Sequence, residues 1–140
     1  MSKVAVVYWS GTGNTAAMAA AVEEGARSAG AEVSVFGPSE FNSSMLADYD
    51  GVAFGCPAMG AEVLEENEYE PMFIDVEGSL SGEKIALFGS YGWGDGEWMR
   101  QWEEQVRGDG AQLAAEPVIA HEAPDDSILS DCRALGRSLA

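Results

Sequence analysis

Val4-Ala5-Val6-Val7-Tyr8-Trp9-Ser10-Gly11-Thr12-Gly13-Asn14-Thr15 is the stretch on which the fold turns. It opens with an unbroken apolar run, Val4 to Tyr8, the mark of a strand buried on both faces. A turn of hydroxyls and glycines follows. From Asn14 to Ala29 a helical pattern takes over, with Met18, Val22, Ala26 and Ala29 on one stripe and Gly30 as the closing glycine. Strand, glycine-rich turn and helix in that order make the first unit of a βαβ chain.

The pattern repeats outward from this unit. Short apolar runs stand at Glu32–Phe36, Gly51–Gly55 and Lys84–Gly89, with a weaker one at Leu113–Ala120. Pro117 has no N–H to give a ladder, so the last run is expected at a sheet edge or interrupted. Helical stripes lie between: Trp98, Trp102 and Val106; then Ile128, Cys132, Leu135 and Leu139, with Asp125 or Asp126 as cap. Asn42–Asp48 and Tyr69–Val76 read as shorter helices. Alternation of this kind predicts an α/β fold, a parallel sheet between helix layers joined by right-handed crossovers. No repeat, low-complexity tract or linker divides residues 1–140, which read as one domain.

The chain has 140 residues, 24 acidic groups against 7 basic ones and a net charge of −17, with 46% hydrophobic residues. The hydrophobic content argues against a disordered acidic tail. The charge repels phosphate backbones and anionic lipid, so neither nucleic acid nor a membrane surface is an expected partner. No apolar run is long enough to span a bilayer, and no signal-peptide pattern follows Met1-Ser2-Lys3. Cys56 and Cys132 stand far apart with no CxxC partner, and read as buried thiols in a reducing cytoplasm.

In a sheet of this kind, ligands bind beyond the carboxyl ends of the strands, so function falls to the loops after strands 1, 3 and 4. In the first loop, Ser10, Thr12 and Thr15 supply hydroxyls. Gly11 and Gly13 allow close backbone approach, and the helix N-terminus completes an anion nest. No lysine follows in P-loop fashion, and Ala16 stands where a dinucleotide fingerprint has its third glycine. No Lys or Arg occurs from Val4 to Ala26 or from Ser28 to Glu83. Neutral donors alone suit a terminal phosphomonoester. A receiver domain would need acids where Tyr8-Trp9 and Gly55-Cys56 stand. A low-molecular-weight tyrosine phosphatase would need arginine where Glu62 stands.

The loop after strand 3 runs Gly55-Cys56-Pro57-Ala58-Met59-Gly60-Ala61-Glu62, and that after strand 4 runs Gly89-Ser90-Tyr91-Gly92-Trp93-Gly94-Asp95-Gly96. Met59 and Trp93 are large apolar side chains on loops too small to bury them, placed to sandwich a flat ring.

With these three segments in this order, the chain resembles the flavodoxins, most closely the short-chain flavodoxins of anaerobic bacteria. The resemblance spans essentially the whole chain. It implies a flavodoxin-like fold: three layers around a doubly wound, five-stranded parallel sheet in strand order 2-1-3-4-5. It implies FMN bound without a covalent link, its phosphate on Ser10, Gly11, Thr12, Gly13, Asn14 and Thr15, with Ser90 in reach. Met59 and Trp93 would flank the isoalloxazine, with Trp9 near. Backbone groups of Glu62, Tyr91 and Gly92, with the Glu62 carboxylate, would read its polar edge. Pro57, Ala58, Gly60, Ala61 and Gly94 complete the two loops. Pro57 stands where close relatives carry serine, and Ala61 at a position that varies. The long insertion of larger flavodoxins does not fit between Leu113 and Ala120.

The function implied is a low-potential one-electron carrier, not an enzyme, cycling between semiquinone and hydroquinone. It would be cytoplasmic and monomeric, serving redox proteins with basic docking surfaces. In the family, the carbonyl at the Gly60 position turns toward the protonated flavin N5. The resulting turn would hold Ala61 at positive φ, a cost of roughly 1 kcal/mol. Glu62, Glu65, Glu66, Glu68, Glu70, Asp95 and Glu97 form a second lever. One acid about 10 Å from the reduced flavin anion costs about 1.7 kcal/mol at an effective dielectric of 20, before screening. His121 reads as a surface or supporting residue. The alternative is a small FMN-dependent reductase with its own substrate. A non-redox sensor of a phosphate ligand leaves Met59 and Trp93 unexplained.

Overall fold

Along β1 (Lys3–Tyr8) successive side chains point to opposite faces, and both faces find a core. Ala5 and Val7 join Val52, Phe54, Ile85 and Leu87 on one side. Val4 and Val6 join Ala53, Ala86 and Phe88 on the other. This two-sided burial is why the strands read as continuous apolar runs. The computed structural model describes residues 2–11, 13–59, 64–92 and 94–140.

β1 pairs in parallel with β2 (Glu32–Phe36) and β3 (Gly51–Gly55), and β3 with β4 (Lys84–Tyr91). The order β2-β1-β3-β4-β5 is the doubly wound one expected. The fifth position differs from a single strand: β5 (Gln112–Leu113) and β6 (Val118–His121) follow one another along β4. Pro117, which has no N–H for the ladder, lies in the gap.

The helices α1 (Asn14–Ser28) and α4 (Asp126–Leu139) cover one face. On the other lie α2 (Tyr69–Glu77) and α3 (Glu97–Gly108), with short 3₁₀ turns at Pro38–Glu40 and Ser43–Asp48. Asp125 is the cap of α4, its Oδ1 accepting the Ile128 N–H at 2.8 Å. Trp98, Trp102 and Val106 are buried, as their stripe requires. α1 and α4 meet backbone to backbone. A Cβ on Gly25 would lie 1.9 Å from the Arg133 carbonyl oxygen, and one on Gly136 2.0 Å from that of Val22. Cys56 and Cys132 are free and buried, and burial pushes each thiol up to about 12. Among the described residues, no helix is long and apolar enough to cross a membrane.

Candidate functional site

The winding reverses between β1 and β3, and the carboxyl ends of β1, β3 and β4 open on one side of that point. A cleft of about 540 Å³ lies there, lined by Trp9, Gly11 and Asn14 from the first loop, Pro57, Ala58 and Met59 from the second, and Ser90, Tyr91 and Gly92 from the third. Its size falls within the range of cofactor sites, and its lining is mostly apolar.

Hydrogen bonds tie the loops together. Trp9 N–H donates to the Gly55 carbonyl at 3.1 Å, and Ala58 N–H to that of Ser90 at 3.0 Å. Across the first loop, Ser10 Oγ accepts from Gly13 N–H at 3.1 Å and Ala16 N–H at 3.2 Å. Gly13, at φ 95°, takes the left-handed conformation that starts α1 and that a side chain would disfavour. The first helical bond runs from Ala17 N–H to the Gly13 carbonyl, so the N–H groups of Asn14 and Thr15 precede the helical ladder. Thr15 Oγ1 and Ser90 Oγ, both buried, share a hydrogen bond of 3.1 Å that joins the first loop to β4.

Ser10, Gly13 and Thr15 are not in the lining itself but belong to the same loop as its Gly11 and Asn14, and Gly94 is not in the lining. The expectations for Thr12, Gly60, Ala61, Glu62 and Trp93 fall outside the described residues. Two lining residues escaped the sequence reading: Glu122 and Ala123, which follow β6. Glu122 has φ 63° and donates its N–H to the Tyr91 carbonyl at 2.7 Å, turning the chain back over the cleft. The nearest sequence signal is their position just after a strand and before Pro124 and the capping Asp125.

The residues present fit a flat phosphorylated ring such as FMN. Ser90 and Asn14, the first residue of α1, share the lining with apolar Trp9, Pro57, Ala58 and Met59, and no Lys or Arg lines the cleft among the described residues.

The acids that follow the second and third loops divide by environment. Glu65 is buried, only 5% exposed, and its carboxylate accepts N–H groups of Asn67 (2.9 Å), Glu68 (2.7 Å) and Tyr69 (2.9 Å) ahead of α2. Burial alone would raise its pKa, but the three donors outweigh that and hold it below the ordinary glutamate value. Glu68 Oε2 accepts the Trp9 indole N–H at 2.7 Å, fixing a ring that lines the cleft. Asp95 and Glu97 both pair with Arg100, at 3.0 and 2.5 Å. The guanidinium is held above its usual range, first by its bond to Glu97 and then by that to Asp95.

The flavodoxin family model matches residues 6–136. The chain is 44% identical over 135 residues to a flavodoxin of Clostridium beijerinckii, covering 96% of this chain and 97% of that one. It is 43% identical over 137 residues to a flavodoxin of Megasphaera elsdenii, covering 98% of each. The solution structure of the two-electron reduced Megasphaera elsdenii flavodoxin superposes with a TM-score of 0.89, covering 97% of both chains. A flavodoxin from the domain Archaea superposes at 0.84 with 29% identity, covering 99% of this chain and 96% of that one.

Proposed function

This chain belongs to the flavodoxin family of FMN-binding electron carriers, and on that premise we propose how its own residues hold the cofactor and serve its partners. FMN, bound without a covalent link, supplies the one-electron chemistry. The phosphate end is assigned to the Ser10–Thr15 loop, where the Thr15 and Ser90 hydroxyls and the first N–H groups of α1 act as neutral donors. Ser10 Oγ, already accepting two backbone N–H groups, keeps the loop curved and leaves its own proton to donate. Met59 and Tyr91, with Pro57 and Ala58, shield the ring from water, and Trp9 is steadied for the same wall by Glu68. Glu62, Gly60, Ala61 and Trp93 retain the roles the resemblance gives them.

The observation that carries this reading is the convergence of the three motif loops on one cleft of cofactor size. The finer reading is a single-domain, monomeric, cytoplasmic carrier of low potential. Its partners are redox proteins with basic docking surfaces, drawn by the −17 charge, and neither nucleic acid nor membrane is among them. Glu66 and Glu70 are its better candidates for tuning charges, since Glu65 serves the backbone and Asp95 and Glu97 are offset by Arg100. Family membership disfavours the reductase with its own substrate.

Titration of the apoprotein with FMN, followed by quenching of flavin fluorescence, tests the assignment. Stoichiometric quenching is expected, and Thr15→Val should weaken binding by about tenfold or more, one charge-assisted hydrogen bond with the phosphate. Unchanged affinity in that variant would remove the phosphate end from this loop. Oxidation of NAD(P)H by the protein alone would restore the reductase reading.

A further inference from the structure

His121 is the one histidine of the chain, and it ends β6 directly opposite Tyr91 of β4. Its imidazole lies over the Tyr91 ring, centroids 5.0 Å apart and planes inclined by 29°. Its Nε2 stands 3.2 Å from the Gly92 carbonyl oxygen. A carbonyl can only accept, so this contact is a hydrogen bond only when Nε2 carries the proton. Tyr91 and Gly92 both line the cleft, and His121 touches both from outside it. Behind the stack, Tyr91 packs on Trp98 at 5.5 Å, so the tyrosine is held between α3 and the imidazole. The next residue, Glu122, anchors its N–H on the Tyr91 carbonyl, which sets the histidine in register with the loop.

The geometry points to His121 as a positioning residue for the cofactor, one that pins the Tyr91–Gly92 wall by donating Nε2–H to the Gly92 carbonyl while stacking on Tyr91. It acts through these residues and does not enter the cleft lining itself. The inference rests on the FMN reading above. With the wall pinned beforehand, the cofactor meets a formed site and does not spend binding free energy ordering the loop.

Three variants separate the two contacts: His121→Gln keeps an N–H donor at similar reach, His121→Phe keeps the stacked ring without a donor, and His121→Ala removes both. FMN affinity by fluorescence quenching should stay within about twofold of wild type for Gln. It should weaken about three- to tenfold for Phe, the range of one net hydrogen bond, and further for Ala. The unfolding midpoint of the apoprotein should move little in Phe. Equal weakening in Gln and Phe, with parallel loss of stability, would reduce His121 to a structural residue, and wild-type affinity in Phe would remove the donor's role. A wild-type chain that binds no FMN would instead sink the cofactor reading. Independently of FMN, ¹⁵N NMR of the single histidine in the wild-type apoprotein should find the neutral ring protonated at Nε2, and a proton on Nδ1 would overturn the proposal.

Discussion

Glu65 stands in the run of acids expected to act on the flavin by charge, yet its carboxylate is buried and takes three backbone N–H groups at the entrance to α2. Replacing it with glutamine tests whether it is a structural clamp. Glutamine can keep an oxygen for Glu68 and Tyr69, which share Oε1. It must turn an amide nitrogen toward the Asn67 N–H that Oε2 now accepts. One charge-assisted bond is lost and the remaining ones become neutral, a cost of about 2–3 kcal/mol. For a chain of this size that lowers the unfolding midpoint by roughly 6–10 °C at pH 7. The pH dependence supplies a second signature. The folded-state pKa lies below that of the unfolded chain, so the carboxylate's contribution is complete above the ordinary glutamate range and is lost as pH falls through the depressed folded value. The gap between wild type and Glu65→Gln, measured by thermal or urea unfolding, should therefore be widest near neutrality and narrow toward pH 3. A variant as stable as wild type at pH 7, or a gap of the same size at both pH values, would refute the clamp.

Gly136→Ala should destabilise the fold by about 2 kcal/mol or more in urea unfolding, because the new methyl meets the Val22 carbonyl oxygen at 2.0 Å across the α1–α4 crossing. Asp109 is pushed up to about 6 by burial and by the neighbouring Glu77, and its Oδ2 is buried with no hydrogen-bond partner among the described residues. Its raised folded pKa means stability is lost as pH climbs from the unfolded value through about 6. Asp109→Asn should therefore raise the unfolding midpoint at pH 7 and leave it near wild type at pH 4. With the turn that the flavodoxin resemblance implies at Gly60–Ala61, Ala61→Gly should raise the first one-electron potential of the FMN-loaded protein by at most about 40 mV, the equivalent of the roughly 1 kcal/mol that a positive φ costs a non-glycine residue. An unchanged or lowered potential in a redox titration would contradict that.

The central strands were legible because β1, β3 and β4 are covered on both faces and therefore carry unbroken apolar runs. The fifth strand was legible only as a warning. Pro117 announces an interruption, but whether the chain leaves the sheet or resumes along β4 depends on pairing partners far away in sequence. The three loops of the cleft declare themselves through small residues, hydroxyls and misplaced large apolar side chains. Glu122 and Ala123 carry no such composition, and they line the cleft where the Glu122 N–H meets the Tyr91 carbonyl. The seven acids of the two loops looked alike in sequence. What separates Glu65 from Glu66, or Asp95 from Glu70, is the backbone N–H or guanidinium that folding brings to it, and tertiary contacts of that kind leave no local pattern.

The central claim is that the cleft holds FMN non-covalently and hands on electrons one at a time. Anaerobic reductive titration of the FMN-loaded protein, followed by its visible spectrum and potential, tests this most directly. Two separated one-electron steps are predicted, with the second more reducing than the same step of free FMN. A chain that fails to retain FMN, or one that takes up two electrons in a single unresolved step, would contradict the account.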